Sequence, residues 1–172
     1  MKLKDLKIGY VPLNKNFNSP GDLRRFCYFA KKRNIKFECA DPSETYDLVI
    51  LTQNADVTIW SKYRKGDCKI IFDIVDSYMS VPKWHLKGQF RGLAKFAVGQ
   101  TRSLRLDYRK ALEEMCHRAD AVVCSTLEQK VDIQHFCTNT HPILDFHFML
   151  LDTTKSDYSA GKTFNFVWEG LP

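Results

Sequence analysis

Between Asp47 and Thr52 the chain reads Leu48-Val49-Ile50-Leu51, with no polar residue in alternation. A strand with one wet face alternates apolar and polar side chains. A strand covered on both faces stays apolar throughout. The same texture recurs in Lys69-Ile70-Ile71-Phe72-Asp73-Ile74-Val75 and in Asp120-Ala121-Val122-Val123-Cys124-Ser125. Such runs belong in the middle of a parallel sheet, where each strand reaches its neighbour through a long crossover, usually a helix.

The intervening segments have that character. Leu6–Val11 is a first short β-rich run, and Asn14–Gly21 is rich in loop formers. Ser19-Pro20-Gly21-Asp22 reads as a helix start, with Ser19 as N-cap and Pro20 in the first turn. Leu23, Phe26, Cys27, Ala30 and Lys31 keep helical spacing, and Lys31-Lys32-Arg33-Asn34 suits a helix end. Ile35–Cys39 predicts a second strand, Asp56–Tyr63 a short helix, and Pro82–Arg118 a long helical region. Thr126 caps a helix reaching Phe136, and Gln129 stands where a capping box needs it. Thr140–Leu144 predicts a sixth strand. This alternation predicts a Rossmann-like, doubly wound α/β domain over residues 1–150, with a mostly parallel sheet of about six to seven strands. Asp152–Lys162 then turns polar and linker-like, and Thr163–Trp168 reads again as a strand. Residues 151–172 are thus expected to be a linker plus the first strand of an absent C-terminal domain.

Composition narrows the class. With 172 residues, 44% hydrophobic and 27% charged, the chain suits one globular domain rather than a disordered or coiled-coil segment. Met1–Lys7 carries charge but no apolar h-region, so no secretory signal is read there. No apolar run approaches the roughly 18 residues of a membrane span. The six cysteines are widely spaced and lack a C-x-x-C pair, so reduced thiols and a cytoplasmic setting are expected. Cys116, Cys124, His135, Cys137 and His141 lack the paired spacings of zinc sites, so no metal is expected. The G-x-G-x-x-G, Walker A and G-x-S-x-G motifs are also missing, which argues against the usual dinucleotide, P-loop and hydrolase chemistries.

Ligands of open α/β sheets bind beyond the carboxyl ends of the strands. That rule selects Asn14, Asn16, Asn18, Ser19 and Gly21 after the first strand, and Thr52, Gln53 and Asn54 after the third. It selects Asp76, Ser77 and Tyr78 after the fourth strand, and Ser125, Thr126 and Glu128 after the fifth. Asn18, Ser19, Gly21, Gln53, Asp76, Ser77, Tyr78, Ser125, Thr126 and Glu128 form the candidate substrate-binding set. Asp76 is the candidate catalytic carboxylate. Ser19, Ser77, Thr126 and Asp76 also suit plain helix caps. Asp145 and His147, two apart in an extended segment, would face one way and could form a His-carboxylate unit.

The net charge of +6 concentrates in one place: residues 83–110 hold eight Lys/Arg and one Asp. On a continuous helix Lys83, Lys87, Arg91, Lys95, Arg102, Arg105 and Arg109 fall within about 120° of arc. Leu86, Phe90, Leu93, Ala97, Leu104, Tyr108 and Met115 cluster on a separate face. Two readings follow: a solvated basic face on a helix packed to the core, or a docking surface for an anionic membrane or another acidic partner. No recognition motif accompanies the charge, which argues against nucleic acid. Gly88, Gly92 and Gly99 weaken the continuous helix, and a break near Gly99 would give two.

Tyr46–Leu51, then Lys69-Ile70-Ile71-Phe72-Asp73-Ile74-Val75-Asp76-Ser77-Tyr78, then Arg118-Ala119-Asp120-Ala121-Val122-Val123-Cys124-Ser125-Thr126 resemble the N-terminal half of GT-B glycosyltransferases. The likeness is to the retaining, nucleotide-sugar-dependent group of the family 4 type, and covers about residues 6–150. It implies an acceptor-binding domain, with Asp76 and the loop after the first strand lining the cleft. In the whole enzyme a sugar would pass from a nucleotide-sugar donor to a hydroxyl acceptor, a carbohydrate or glycolipid. The donor would bind the absent domain, on this or a partner polypeptide, so no cofactor and no turnover are expected of these residues alone. The loop lacks the Gly-Gly pair many members carry, and Val75-Asp76 stands where they often have His-Asp. The other expectation is a non-catalytic module that docks through its basic helix on an anionic membrane, peripherally, or on a partner subunit.

Overall fold

The computed structural model describes residues 3–80, 86–105, 107–144 and 161. Pro82, Lys83, Asp145, His147, the proposed linker apart from Gly161, and the proposed final strand lie outside the described residues.

Six parallel strands form one sheet: β1 (Ile8–Val11), β2 (Glu38–Cys39), β3 (Leu48–Thr52), β4 (Lys69–Ile74), β5 (Ala121–Cys124) and β6 (Thr140–Pro142). Their order is β2-β1-β3-β4-β5-β6. The chain steps outward once from β1 to β2 and then in the opposite direction from β3 onward. This is the doubly wound, Rossmann-like arrangement, with the reversal of strand order between β1 and β3. Register pairs Val49 with Ile70, Leu51 with Phe72, and Phe72 with Val122, so the apolar runs stack side by side.

Alternate residues of these strands feed two cores. Val49, Leu51, Ile70, Phe72, Ile74, Val122 and Cys124 pack with Val57 and Trp60 of α3 (Val57–Trp60), Leu112 and Met115 of α5 (Tyr108–Arg118) and Ile133 of α6 (Leu127–Ile133). On the other face Ile8, Tyr10 and Ile50 pack with Ala30, Phe26, Phe17 and Phe37. There the Tyr10 ring lies 4.9 Å from the Phe26 ring and 5.7 Å from that of Phe37. Gly9 faces the first core, where an added Cβ would meet Ala40 and the Tyr46 ring at 3.0 Å.

Local chemistry places most helix ends. Asp56 caps α3, Asp107 caps α5 and Thr126 caps α6, each accepting a backbone amide of the first turn. The first helix departs from expectation by dividing at Arg25 into α1 (Pro20–Arg24) and α2 (Phe26–Arg33). Ser19 has N-cap geometry but its side chain accepts no capping bond. Asn34 ends α2 in the left-handed region, with the Ile35 amide donating to the Ala30 carbonyl at 2.9 Å. β2 keeps only Glu38 and Cys39 of the expected Ile35–Cys39 run, and both are exposed, because Ile35 and Phe37 turn into the second core instead.

The long helical region is likewise two helices, α4 (Leu86–Ala97) and α5. Gly99 stands at φ +71. Its amide donates to the Phe96 carbonyl at 3.0 Å and the Gln100 amide to the Lys95 carbonyl at 2.8 Å, a Schellman termination. The basic row therefore divides. Lys87, Arg91 and Lys95 stand on α4, Arg102 and Arg105 on the connection, and Arg109 on α5. Arg105 pairs with Glu114 at 3.3 Å and Arg109 with Glu113 at 3.0 Å. The Lys95 ammonium lies 4.7 Å from the Tyr108 ring centre. Charge that would form one solvated stripe on a straight helix is divided: Lys95 reaches from α4 to α5, while Arg105 and Arg109 pair with acids of α5.

All six cysteines are free thiols; Cys39 is exposed, while Cys68, Cys116, Cys124 and Cys137 are buried. Burial pushes the Cys116 thiol up to about 12 and those of Cys27 and Cys68 up to about 11, from an ordinary 9.0. Each then holds its proton more tightly folded than unfolded. The associated stability is complete below pH 9.0 and is lost as pH rises through 11 to 12. Urea midpoints measured at rising pH should be level to about pH 9 and then fall. A midpoint that stays level to pH 11 contradicts this account.

Candidate functional site at the carboxyl edge of the sheet

Three side-chain amides lace the carboxyl ends of the strands together. The Asn54 amide, just past β3, donates to the Leu13 carbonyl past β1 at 2.7 Å. This bond spans the β1/β3 reversal, the place where doubly wound sheets open a crevice. Gln53 accepts the Asp76 amide at 3.3 Å, which ties the β3 end to the β4 end. Gln129 of α6 then donates to the Ile74 and Asp76 carbonyls at 3.1 and 3.0 Å, and accepts the Ser125 amide at 2.8 Å. The β4 and β5 ends are thereby held at fixed spacing.

Gln129 was expected to complete a capping box. Half of that is present: Thr126 Oγ1 accepts the Gln129 amide at 3.1 Å. The Gln129 side chain goes to the neighbouring strand end instead, where it bonds the Ile74 carbonyl and shares the Asp76 carbonyl with the Tyr78 amide. Gln129 is 2% exposed. Gln129→Ala should lower unfolding free energy by roughly 1–3 kcal/mol, since it takes a donor from the Ile74 carbonyl and the acceptor from the Ser125 amide, while the Asp76 carbonyl keeps the Tyr78 amide. Urea denaturation reads this directly, and a loss below about 0.5 kcal/mol, the range of neutral surface changes, would refute the lacing role.

Asp76 is exposed, and its carboxylate accepts the Tyr78 hydroxyl at 2.6 Å. The Tyr78 ring stands edge-on to Tyr108 at 6.5 Å. Asp76 begins no α-helix; a short 3-10 turn, Tyr78–Ser80, follows it. Ser77 is exposed beside it. Among the described residues the buried Ser125 hydroxyl oxygen has no hydrogen-bond partner, an orphan polar atom at the end of β5. Thr126 serves as the α6 cap. The Glu128 carboxyl sits below its ordinary range, held there by its own backbone amide and the Thr126 hydroxyl.

The structure thus gathers Gln53, Asp76, Tyr78 and Ser125 around one laced edge, with Thr126 and Glu128 at the adjoining start of α6. Asn18 and Ser19 sit on the loop into α1, and Gly21 lies in its first turn. Gly21 has a packing role: an added Cβ would lie 2.3 Å from the Leu13 side chain. That loop is governed by a residue outside the candidate set, Asp22, which is fully buried. Its carboxylate accepts the Tyr10 hydroxyl at 2.6 Å and the Leu13 and Asn14 amides at 2.9 and 3.0 Å. Burial, then this bond, raises the Tyr10 hydroxyl well above its ordinary range. A buried carboxylate ringed by three donors has no clear mark in the sequence, because two of the donors are backbone groups.

Two further features lie away from this edge. Asp120, just before β5, accepts the Ile70 amide at 2.9 Å and pairs with Lys69 at 3.0 Å. Burial alone would raise its carboxyl, but the Ile70 amide, Lys69 and Arg118 hold it below the ordinary range. Its work is to join the amino ends of β4 and β5. An open depression of about 440 Å³ lies at that same end, lined by Arg64, Lys69, His117, Arg118 and Asp120 among others. Among the described residues no three His, Cys, Asp or Glu side chains are grouped as a metal would need. Nor does any described helix have the length and apolarity to cross a membrane.

The sequence matches no protein-family model, and no curated protein or solved structure is significantly similar to it.

Proposed function

We propose that this chain is the acceptor-binding domain of a glycosyltransferase of the GT-B kind. The observation that carries the reading is the exposed Asp76 carboxylate at the laced carboxyl edge, with the Tyr78 hydroxyl bonded to it at 2.6 Å. A sugar hydroxyl needs acceptors and donors held in place before it arrives, because ordering them on binding would consume affinity. Asp76 supplies an acceptor and Tyr78 orients it. In transfer, Asp76 would take hydrogen bonds from acceptor hydroxyls and orient the attacking one. A donor-holding domain, on the same or a separate polypeptide, would stabilise the leaving nucleoside diphosphate.

Amide chemical shifts recorded while hexoses, disaccharides and a uridine-diphosphate hexose are titrated into the chain test this. The expected result is movement of the Gln53, Asp76–Tyr78 and Ser125 signals with the sugars, reduced in Asp76→Asn. Sugar nucleotide should produce no turnover. Shifts confined to the amino-end depression, or release of hexose from the sugar nucleotide by this chain alone, would overturn the reading.

A further inference from the structure

The second half of α4 carries its apolar side outward. Leu93, Ala94, Phe96 and Ala97 are exposed, whereas Gly92 is buried and Lys95 is half-buried toward Tyr108. Val98, at the tip where the Schellman turn reverses the chain, is 76% exposed, and Leu104 on the following connection is also exposed. An amphipathic helix on a domain surface ordinarily buries its apolar stripe. Here the side that packs inward is the one bearing the small Gly92 and the Lys95 stem, and the apolar side faces away.

We infer that α4 and its terminal turn dock on an anionic lipid bilayer, with Leu93, Phe96 and Val98 entering the boundary between headgroups and acyl chains. The chemistry of the surroundings selects this occupant. Residues 83–110 hold eight Lys/Arg against one Asp; Lys95, Arg105 and Arg109 are engaged within the domain, while Lys87 and Arg91 stand on successive turns of α4 and Arg102 is exposed on the connection after it. Helices that lie in a membrane interface combine outward apolar side chains with cations that meet anionic headgroups. A second copy is the poorer fit, since self-pairing would bring two strongly basic segments face to face. Nucleic acid would use the charge but leave the exposed Leu93, Phe96 and Val98 without a role. The Gln100 side chain donates to Asn54 at 3.3 Å and the Arg102 amide to Asp56 at 2.7 Å. The docking surface therefore adjoins the polar edge, but the inference stands without the acceptor reading.

Sedimentation of the full chain with vesicles tests it, using phosphatidylcholine alone and phosphatidylcholine mixed with phosphatidylglycerol, at low and high salt. The chain should sediment with the mixed vesicles only, and salt should release it. Leu93→Asp, Phe96→Asp and Val98→Asp combined should weaken partitioning roughly tenfold or more while leaving the melting temperature unchanged. Lys87→Glu with Arg91→Glu should weaken it as well. Equal sedimentation with both vesicle types, or none with either, overturns the inference. So does retention that the apolar triple variant does not alter, including retention that a DNA duplex competes away. A concentration-dependent dimer broken by that variant would give the face to a second copy. A melting temperature lowered by it would mean the protein's own chain covers the face. Either result counts against lipid docking.

Discussion

Asp73→Asn is expected to lower the free energy of unfolding by about 3–5 kcal/mol, the usual loss when one partner of a buried ion pair is removed. For a domain of this size that is a drop of roughly 10 °C in melting temperature. Asp73 lies in the middle of the sheet, between Thr52 on β3 and Val123 on β5, and the Arg25 guanidinium meets it from the break between α1 and α2. Arg25 Nε donates to both carboxylate oxygens, at 3.0 and 2.8 Å, and Nη2 donates to Oδ1 at 2.6 Å. The two side chains are 5% and 9% exposed, so water cannot replace the lost carboxylate. Asparagine would leave the guanidinium charge buried beside a neutral amide. The double variant Arg25→Met with Asp73→Leu separates this from simple loss of packing. It should recover most of the stability, because removing both charges removes the desolvation penalty as well. It should not recover all of it, since Arg25 Nη1 also donates to the Ile143 carbonyl at 3.0 Å and holds the exit of β6. If Asp73→Asn melts within a degree or two of the parent, the pair does not hold the domain together.

Asp22→Ala should have the next largest effect, a loss of roughly 3 kcal/mol, because three donors lose their acceptor in a buried setting. Asp22→Asn keeps one acceptor oxygen and should recover part of it. The loss should be uneven over the molecule. The Leu13 and Asn14 amides are anchored to this carboxylate, so the Asn14–Gly21 loop should become susceptible to proteolysis before the sheet does. Hydrogen exchange at Leu13 and Asn14 gives the most direct readout. If those amides remain as protected in Asp22→Ala as in the parent, the loop is held by something else. On the acceptor reading, the same variant should weaken sugar binding with Asp76 left intact, which distinguishes positioning by Asp22 from contact by Asp76.

These two residues also mark where sequence reasoning stopped. The strands were legible because burial on both faces leaves an unbroken apolar run, and β3, β4 and β5 lie within a residue of each expected end. The Thr126 cap and the Asn34 terminus were legible for a similar reason: cap chemistry acts over three or four residues. Gly99 was legible as a place where the helix would break in two, and it is the left-handed residue of a complete Schellman turn. Arg25 and Asp73 stand 48 residues apart, and nothing near either one announces the other. Gln129 was placed correctly on its helix, yet its amide reaches carbonyls 53 and 55 residues earlier. For the candidate site, the rule of carboxyl strand ends selected Gln53, Asp76, Tyr78 and Ser125, which stand along one laced edge, together with Gly21 and Thr126, whose visible work is packing and helix capping.

The sequence by itself determined the parallel α/β class, the order of the elements and the end of the sheet where polar residues collect. Each depends on local periodicity or on cap chemistry, which acts within a few residues. Only the tertiary structure decided the strand order, the lacing of the carboxyl edge, the buried Arg25–Asp73 pair and the outward apolar side of α4. An amphipathic pattern specifies two faces but not which one turns inward. On α4 that choice was made by contact with α5, where Gly92 is buried and the Lys95 ammonium settles over the Tyr108 ring.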